Sequence, residues 1–238
     1  MKTIERAEYL EILKRWKDKQ IIKVVSGVRR CGKSTLFDIY KAYLLSTGVT
    51  HAQIISVNFE DIDYEDLNTA KALYAYIKGK LQPDQINYIF LDEIQHCEEF
   101  EKAVDSLFIK DNCDVYITGS NAYFMSGELA TLLSGRYVEI EMLPLSFKEF
   151  CSAADEGLSL SEKYRLYIER SSFPYALNFG GNKMEMLDYL HGIYSTIVLK
   201  DVVSRSKISD PKMLESIVRF IFDSIGSPIS AKRIADTM

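Results

Sequence analysis

Short runs of β-branched and apolar residues alternate with helical segments over the first 143 positions. The runs that predict strands are residues 21–26, 54–59, 88–91, 115–118 and 137–142. Such alternation is typical of an α/β fold with a parallel sheet, whose inner strands are apolar on both faces. The last run alternates Val, Ile and Met with Glu, so one of its faces meets solvent and we expect it at a sheet edge.

Apolar residues at helical spacing predict the helices. They are expected at residues 4–13, 33–46, 67–77, 98–109, 186–203, 212–225 and 230–238. The strand signal ends after Pro144, which predicts an α/β core over 1–143 and a helical lid over 144–225. A third segment, 226–238, stops within its helix, so we expect the chain to be part of a longer protein.

The sequence GVRRCGKST at positions 27–35 fits the pattern G-x-x-x-x-G-K-[ST] between a predicted strand and a predicted helix. Gly27 allows a tight turn, and Gly32 lets the backbone approach an anion closely. Main-chain N–H groups and the start of the helix would surround a β-phosphate. Lys33 would neutralise phosphate oxygens, while the Ser34 hydroxyl would bind Mg²⁺.

Other residues of this loop have two interpretations each. Arg29 and Arg30 either add positive potential at the phosphates or are solvated loop charges. Cys31 is either a thiol activated by the helix start or a small residue that fills a gap. Thr35 lies one residue deeper and could reach an α-phosphate. Candidate nucleotide-binding residues are therefore Gly27, Arg30, Cys31, Gly32, Lys33, Ser34 and Thr35.

Two acids follow the third predicted strand in the sequence IFLDE. A buried strand that ends in this way delivers acids to the edge of the sheet where the phosphate loop lies. Asp92 would bind Mg²⁺, and Glu93 would activate the attacking water as a general base. The alternative interpretation is a solvated acidic turn, which the neighbouring loop motif makes less attractive.

Polar residues also follow the fourth strand, in ITGSN. Ser120, or in second place Asn121, could position the attacking water, although Gly-Ser-Asn is also ordinary turn chemistry. Arg136 precedes the fifth strand. It is either an arginine finger that acts on a neighbouring subunit or a solvated, salt-bridged residue.

Composition narrows the class of protein. The 238 residues carry 29 Lys and Arg against 34 Asp and Glu, a net charge of −5, which disfavours a dedicated nucleic-acid coat but leaves a local basic face open. We expect a cytoplasmic protein with no membrane association, because no long apolar run or secretory leader is visible. The four cysteines lie far apart, as expected of reduced thiols.

Taken together, these motifs resemble those of AAA+-type ATPases. More narrowly, GVRRCGKST, LDEIQ, TGSNAYFMSGELATLLSGRYVEIEMLPLSFKEF and SSFPYALNFG resemble a bacterial and archaeal family. In that family the ATPase module precedes a winged helix and a nuclease-like domain of unknown function. The resemblance covers most of residues 20–182, and residues from about 227 onward resemble the opening of the winged helix.

The resemblance implies a P-loop NTPase fold with a five-stranded parallel sheet of order 5-1-4-3-2. It implies roles for six residues: Lys33 and Ser34 as Walker A ligands, Asp92 and Glu93 as Walker B acids, Ser120 as sensor 1 and Arg136 as the arginine finger. Arg205 and Arg233 are both candidates for sensor 2.

These observations predict ATP and Mg²⁺ as ligands, and ATP hydrolysis coupled to a lid and to an effector region beyond the chain. A homo-oligomer with the finger acting in trans, and a protein or nucleic-acid partner of the effector region, are further expectations. The alternatives are a slowly hydrolysing, ATP-gated interaction module, and a nucleic-acid-remodelling ATPase that groups Arg29, Arg30, Lys200, Arg205 and Lys207 on one surface. Binding of GTP is disfavoured, since no N-K-x-D-type base reader is present.

Overall fold

Five strands form one parallel sheet. They are β1 (Ile22–Gly27), β2 (Ile54–Asn58), β3 (Asn87–Asp92), β4 (Cys113–Ser120) and β5 (Tyr137–Met142). Their order across the sheet is β2-β3-β4-β1-β5, which confirms the predicted order and the edge position of β5. The computed structural model describes residues 4–120, 133, 135–155, 157–197, 202–203 and 210–237, with the backbone alone at Ser120.

The helices of the described residues precede, connect and follow the strands. They are α1 (Ala7–Trp16), α2 (Lys33–Ser46), α3 (Ala70–Lys78), α4 (Phe100–Phe108), α5 (Phe147–Ala153), α6 (Leu160–Arg170), α7 (Lys183–Thr196), α8 (Pro211–Asp223) and α9 (Ala231–Thr237). Short 3₁₀ turns include Ile62–Leu67 and Pro174–Phe179. None of the helices described here is long and apolar enough to cross a bilayer.

Helices cover both faces of the sheet. On one face, buried residues of α3 and α4 such as Leu73 and Val104 pack with Val57 and Ile89 of the strands. On the other face, α1 and α2 pack against side chains that alternate with these along the strands, and Phe37 of α2 lies edge-on to the Phe90 ring at 5.1 Å between centroids. In such a fold ligands bind at the carboxyl ends of the strands, where the loop that follows β1 lies.

Some predicted helix bounds are wrong, and local backbone geometry explains why. The first helix begins at Ala7 instead of residue 4, because Arg6 adopts left-handed geometry with φ 51°. The helix predicted from residue 67 begins at Ala70, where the Thr69 side chain accepts a hydrogen bond from Ala72 N. The predicted helix over 186–203 is described as Lys183–Thr196, and its last predicted residues lie largely outside the described ones.

The helices α5 and α6 follow the core and were not among the predicted elements. Each begins with a capping box: Ser146 with Glu149 in α5, and Ser159 with Glu162 in α6. The pattern S-x-x-E is visible in the sequence and is a known helix-start signal. The described chain divides into two compact units, Met1–Met186 and Leu187–Met238. The predicted boundaries at 143 and 225 stay predictions.

A buried polar network lies at the amino end of the sheet. The fully buried Lys23 of β1 pairs with Asp114 of β4, and Asp114 also accepts hydrogen bonds from Tyr116 Oη at 2.9 Å and from Asp18 N at 2.9 Å. Tyr88 donates to the Asp18 carboxylate at 2.7 Å. The network ties the turn after α1 to three strands, at the end of the sheet remote from the predicted phosphate loop.

This network predicts a loss of stability in alkali. Burial first, and then the hydrogen bond to Asp18, raise the pKa of Tyr88 to about 12, above the value of about 10 for an unfolded tyrosine. The folded state therefore resists ionisation, and its contribution to stability is complete below pH 10 and lost as the pH rises through about 12. In thermal unfolding from pH 9 to 12, Tyr88→Phe should lose less stability than wild type. The half-exposed Tyr164→Phe is the control, and a Tyr88→Phe slope equal to that of wild type contradicts the assignment.

Candidate active site

The loop between β1 and α2 lies tightly against the end of β5. A Cβ at Gly27 would lie 2.4 Å from the Met142 carbonyl oxygen, so a side chain at this position would push β1 and β5 apart. Gly32, the residue before α2, has φ +103°, a conformation that L side chains rarely adopt. Gly27 is therefore required for its close approach to β5, and Gly32 for its backbone conformation. The predicted approach of Gly32 to an anion stays a prediction.

Lys33 is the first residue of α2, and its side chain is turned back over the loop. The residue is 4% exposed. Its Nζ donates to the Gly27 carbonyl oxygen at 3.2 Å and lies 3.1 Å from Glu93 Oε1. The start of a helix favours anions, and a buried ammonium beside it adds a full positive charge. This corner of the sheet is suited to bind phosphate.

The acids of β3 are fixed by a side chain of the neighbouring strand. Thr118 of β4, which is fully buried, donates its hydroxyl hydrogen to Asp92 Oδ1. The same hydroxyl oxygen accepts a hydrogen bond from Glu93 N at 2.9 Å. One threonine therefore sets both the carboxylate of Asp92 and the backbone of Glu93, which leaves the strand in left-handed geometry with φ 53°.

Glu93 is held as a charged base. Its Oε2 accepts a hydrogen bond from Gln95 Nε2 at 2.6 Å, while Oε1 faces Lys33. Burial by itself raises the pKa of Glu93, but the Lys33 charge and the Gln95 hydrogen bond outweigh burial and lower it below the usual value. Glu93 is therefore ionised at neutral pH, and its two carboxylate oxygens contact Lys33 and Gln95.

Oxygen donors suited to Mg²⁺ stand at the same edge. Ser34 follows Lys33 with an exposed side chain, and Asp92 is nearly buried at 7% exposure. Mg²⁺ usually takes one or two protein oxygens and completes its shell with water and phosphate oxygens. A hydroxyl and a carboxylate, beside a loop suited to phosphate, fit that requirement.

The family comparison agrees with this geometry. A family model described as an AAA domain matches residues 19–151, which is more than half of the chain and includes the loop and both acids. The chain belongs to the AAA domain family. Membership of the AAA domain family supports a nucleotide-binding ATPase function for this chain.

Two relatives of this AAA domain chain are themselves uncharacterized proteins. One, from Haemophilus influenzae, is 40% identical over 239 residues, covering 99% of this chain and 59% of the relative. The other, from Methanocaldococcus jannaschii, is 31% identical, covering 91% of this chain and 50% of the relative. The chain thus spans between half and three-fifths of the length of these relatives.

Solved structures share the fold of this AAA domain. A Walker-type ATPase of Pyrococcus abyssi superimposes with a TM-score of 0.55 at 15% identity, covering 98% of this chain and 87% of that one. A chain of the Hsp104–casein complex of Saccharomyces cerevisiae gives 0.52 at 13% identity, covering 94% and 46%. At these identities the likeness establishes the architecture alone.

The remaining loop residues of the AAA domain differ in exposure. Arg29 Nη1 lies 3.8 Å from Glu60 Oε1, and Arg30 is exposed. Cys31 is fully buried, and burial raises the pKa of its thiol, which favours the gap-filling interpretation over an activated thiol. Thr35 is exposed at the start of α2, where it lines a small cavity.

Two further predicted site residues, Ser120 and Asn121, stand at the end of β4 in the sequence. Ser120 pairs with Gly27 in the β1–β4 register, so the backbone of the tip reaches the loop. The Ser120 side chain and Asn121 lie outside the described residues, and their roles stay predictions. Thr118, two residues earlier, is the polar side chain of β4 that the structure brings to the acids.

Arg136 lies at the amino end of the sheet, whereas its own loop lies at the carboxyl end. Its carbonyl accepts from Ile22 N at 3.0 Å, at the beginning of β1. Its guanidinium is half-exposed, 3.9 Å from Asp105 Oδ1 and over the Phe108 ring. The residue is therefore remote from the site of its own chain, and both earlier interpretations, trans-acting finger and salt-bridged residue, stay open.

The two candidates for sensor 2 are not brought to the site. Arg205 lies outside the described residues. Arg233, on α9 in the second unit, donates to the Pro228 carbonyl at 3.3 Å. A sensor-2 role for either residue stays a prediction.

Sequence reasoning missed three side chains at or near the site: Arg6, Gln95 and Thr118. Thr118 had a signal, since it is a hydroxyl residue within an apolar strand next to the acids. Gln95 and Arg6 had no such signal. Gln95 meets Glu93 through a tight turn, and Arg6 meets segments that are distant in sequence. Arg6 also lines the small cavity beside the loop, together with Ile4, Cys31, Gly32, Thr35, Leu145 and Pro174.

Proposed function

We propose that this protein binds ATP with Mg²⁺ and hydrolyses it. The observation that carries the proposal is the buried pair of Lys33 and Glu93, 3.1 Å apart at the start of α2. Lys33 provides a charge for phosphate oxygens, and Glu93 provides an ionised base on the adjacent strand end. A phosphate-binding protein without hydrolysis has no need of a second acid after Asp92.

In the proposed reaction, Lys33 and the loop amides bind the β- and γ-phosphates and stabilise the negative charge of the transferred phosphoryl group. Glu93 accepts a proton from a water molecule as the water oxygen bonds to the γ-phosphorus, and the bond to the ADP oxygen breaks. Ser34 and Asp92 would hold Mg²⁺, which would neutralise phosphate charge. Because Lys33 faces Glu93, the γ-phosphate must displace this carboxylate from Lys33 before Glu93 can reach the water.

The small cavity beside the loop is the candidate site for the base of the nucleotide. Its lining is largely apolar, with Ile4, Leu145 and Pro174 meeting Gly32 and Thr35 at the start of α2. The flat faces of a nucleobase are buried favourably against an apolar lining of this kind. We assign this cavity to adenine.

The same proposal includes how ATP binding would affect the rest of the protein. Residues 144–225 would act as a lid that responds to ATP, and residues 226–238 would open a winged helix that continues into a nuclease-like domain. Ser120 would position the attacking water, and Arg136 would complete the site of a neighbouring copy. Support comes from the motif resemblance and from the greater length of the relatives.

A second candidate is an ATP-gated interaction module that hydrolyses slowly. The contact between Lys33 and Glu93 favours it, because a base paired with the phosphate-binding lysine has to be released before each turnover. A nucleic-acid-remodelling ATPase has less support, since the net charge is −5.

Calorimetry with MgATP tests the proposal, followed by steady-state release of phosphate. Wild type should bind MgATP, and binding should weaken strongly when EDTA removes Mg²⁺. Sustained phosphate release supports the hydrolase, whereas binding with at most one turnover supports the gated module. A folded sample that gives no heat with MgATP would overturn both.

A further inference from the structure

Arg6 makes more contacts between segments than a surface helix cap requires. It is 3% exposed although it is a charged residue, and it precedes α1. One guanidinium nitrogen, Nη1, donates to the Cys31 carbonyl of the phosphate loop at 3.1 Å. The other, Nη2, donates to the Leu143 carbonyl just after β5. Burial of a charged group is tolerated where polar partners surround it, and here both terminal nitrogens of the guanidinium donate to backbone carbonyls.

The third contact of Arg6 reaches the first helix after the sheet. Its Nε lies 2.8 Å from Glu149 Oε1 on α5, and the Glu149 side chain is 15% exposed. The other oxygen, Glu149 Oε2, accepts hydrogen bonds from Ser146 N at 2.8 Å and from Ser146 Oγ at 2.9 Å. The orientation of the Glu149 carboxylate is therefore fixed by the start of its own helix as well as by Arg6.

Further contacts connect the surroundings of Arg6 to one another. Its guanidinium carbon lies 4.9 Å from the centroid of the Tyr9 ring, and Tyr9 Oη accepts a hydrogen bond from Leu143 N at 3.1 Å. Leu145, two residues on, is tied in turn to the helical region by Tyr167, which donates to its carbonyl at 2.8 Å. The Cys31 carbonyl is thus connected through Arg6 to a set of groups that hydrogen bonds and ring contacts hold together.

We propose that Arg6 is a positioning residue that couples the phosphate loop to α5. This inference rests on the proposed function, because a nucleotide is the ligand that would alter the loop. Phosphates bound by the loop amides would fix the Cys31–Gly32 peptide, Arg6 would follow the Cys31 carbonyl, and Glu149 would follow Arg6. In this way Arg6 and Glu149, which are distant in sequence, would transmit the binding of nucleotide to α5, the first helix of the predicted lid.

Hydrogen exchange of the α5 amides provides the test, with and without saturating Mg²⁺ and the non-hydrolysable analogue AMP-PNP. In wild type, the analogue should slow exchange in the loop and in Phe147–Ala153. In Arg6→Ala and in Glu149→Gln, saturating analogue should still protect the loop, but protection of α5 should be lost. Both variants should also bind the analogue about 5-fold more weakly or worse, the lower end of typical coupling between sites.

Lys148→Gln is the matched control. Lys148 Nζ lies 3.2 Å from Glu8 Oε1, so this pair also joins α1 to α5, but both side chains are largely exposed and neither touches the loop. This variant should behave as wild type in both measurements. Glu149→Gln keeps the test open if Arg6→Ala does not fold, since a glutamine can still accept the Ser146 hydrogen bonds.

The outcomes separate this inference from the proposed function. If wild type binds no analogue, the proposed function fails and the coupling fails with it. If wild type binds and both variants at saturation still protect α5 to the wild-type extent, the coupling alone is wrong, and Arg6 serves only to stabilise the fold.

Discussion

Lys33→Ala should abolish MgATP binding, lowering the affinity about 100-fold or more. The variant removes the ammonium that lies over the loop, 3.2 Å from the Gly27 carbonyl, so the phosphates lose a direct, buried positive charge. Calorimetry of the purified variants measures the loss. Lys41→Ala is the control. Lys41 lies on a different face of the same helix, α2, and contacts Asp38 and Ser56 instead of the loop.

The same variant also affects stability, and this effect can be separated from binding. Removing Lys33 leaves Glu93 buried without its counterion, an arrangement that typically costs about 3–5 kcal/mol. The double variant Lys33→Ala/Glu93→Gln removes the unpaired charge, so it should recover much of the stability in denaturant unfolding while still failing to bind. A double variant that binds MgATP normally would contradict the role of Lys33.

Glu93→Gln should retain nucleotide binding and slow turnover by about 10²–10⁴-fold, the usual contribution of a general base. Glutamine keeps the shape of the side chain but cannot accept the proton of the attacking water. Binding of MgATP should be equal to or tighter than that of wild type, because Lys33 no longer has a carboxylate 3.1 Å away to compete with phosphate. Phosphate release and calorimetry measure the two effects on one preparation.

Glu98→Gln is the control for this experiment. Glu98 lies five positions further along the chain and is exposed, so removal of its charge should change neither binding nor turnover. Normal turnover by Glu93→Gln would falsify the assignment of the base. Loss of binding by Glu93→Gln would instead indicate that the carboxylate organises the loop in the absence of nucleotide.

The strands were predictable from two signals in the sequence. The second, third and fourth runs are mostly apolar on both faces, and β5 alternates Glu with apolar residues, as an edge strand does. This pattern placed β5 at an edge, whereas the full strand order came from the resemblance to AAA+-type ATPases. The loop that contains Gly27 and Gly32, and the helix start at Lys33, were predictable because the motif specifies local backbone geometry. The motif spacing is sufficient for this, since no distant residue has to be known.

The contacts that organise the site were not predictable from the sequence in the same way. Thr118 reaches Asp92 and Glu93 across a strand pair, and Arg6 meets the loop from 25 positions away. Such contacts depend on register and on the path of the chain between elements, and neither leaves a periodic signal. The helices α5 and α6 could have been predicted from their S-x-x-E starts.

The contact between Lys33 and Glu93 has a consequence for the end of the proposed cycle. When a polyphosphate leaves the loop, the buried ammonium of Lys33 is not left without a counterion. The Glu93 carboxylate, 3.1 Å away, replaces the departing anion. Product departure is thereby made easier, and the emptied site is electrically neutral at that point. Glu93, the proposed general base, would therefore also promote the release of product before the next turnover.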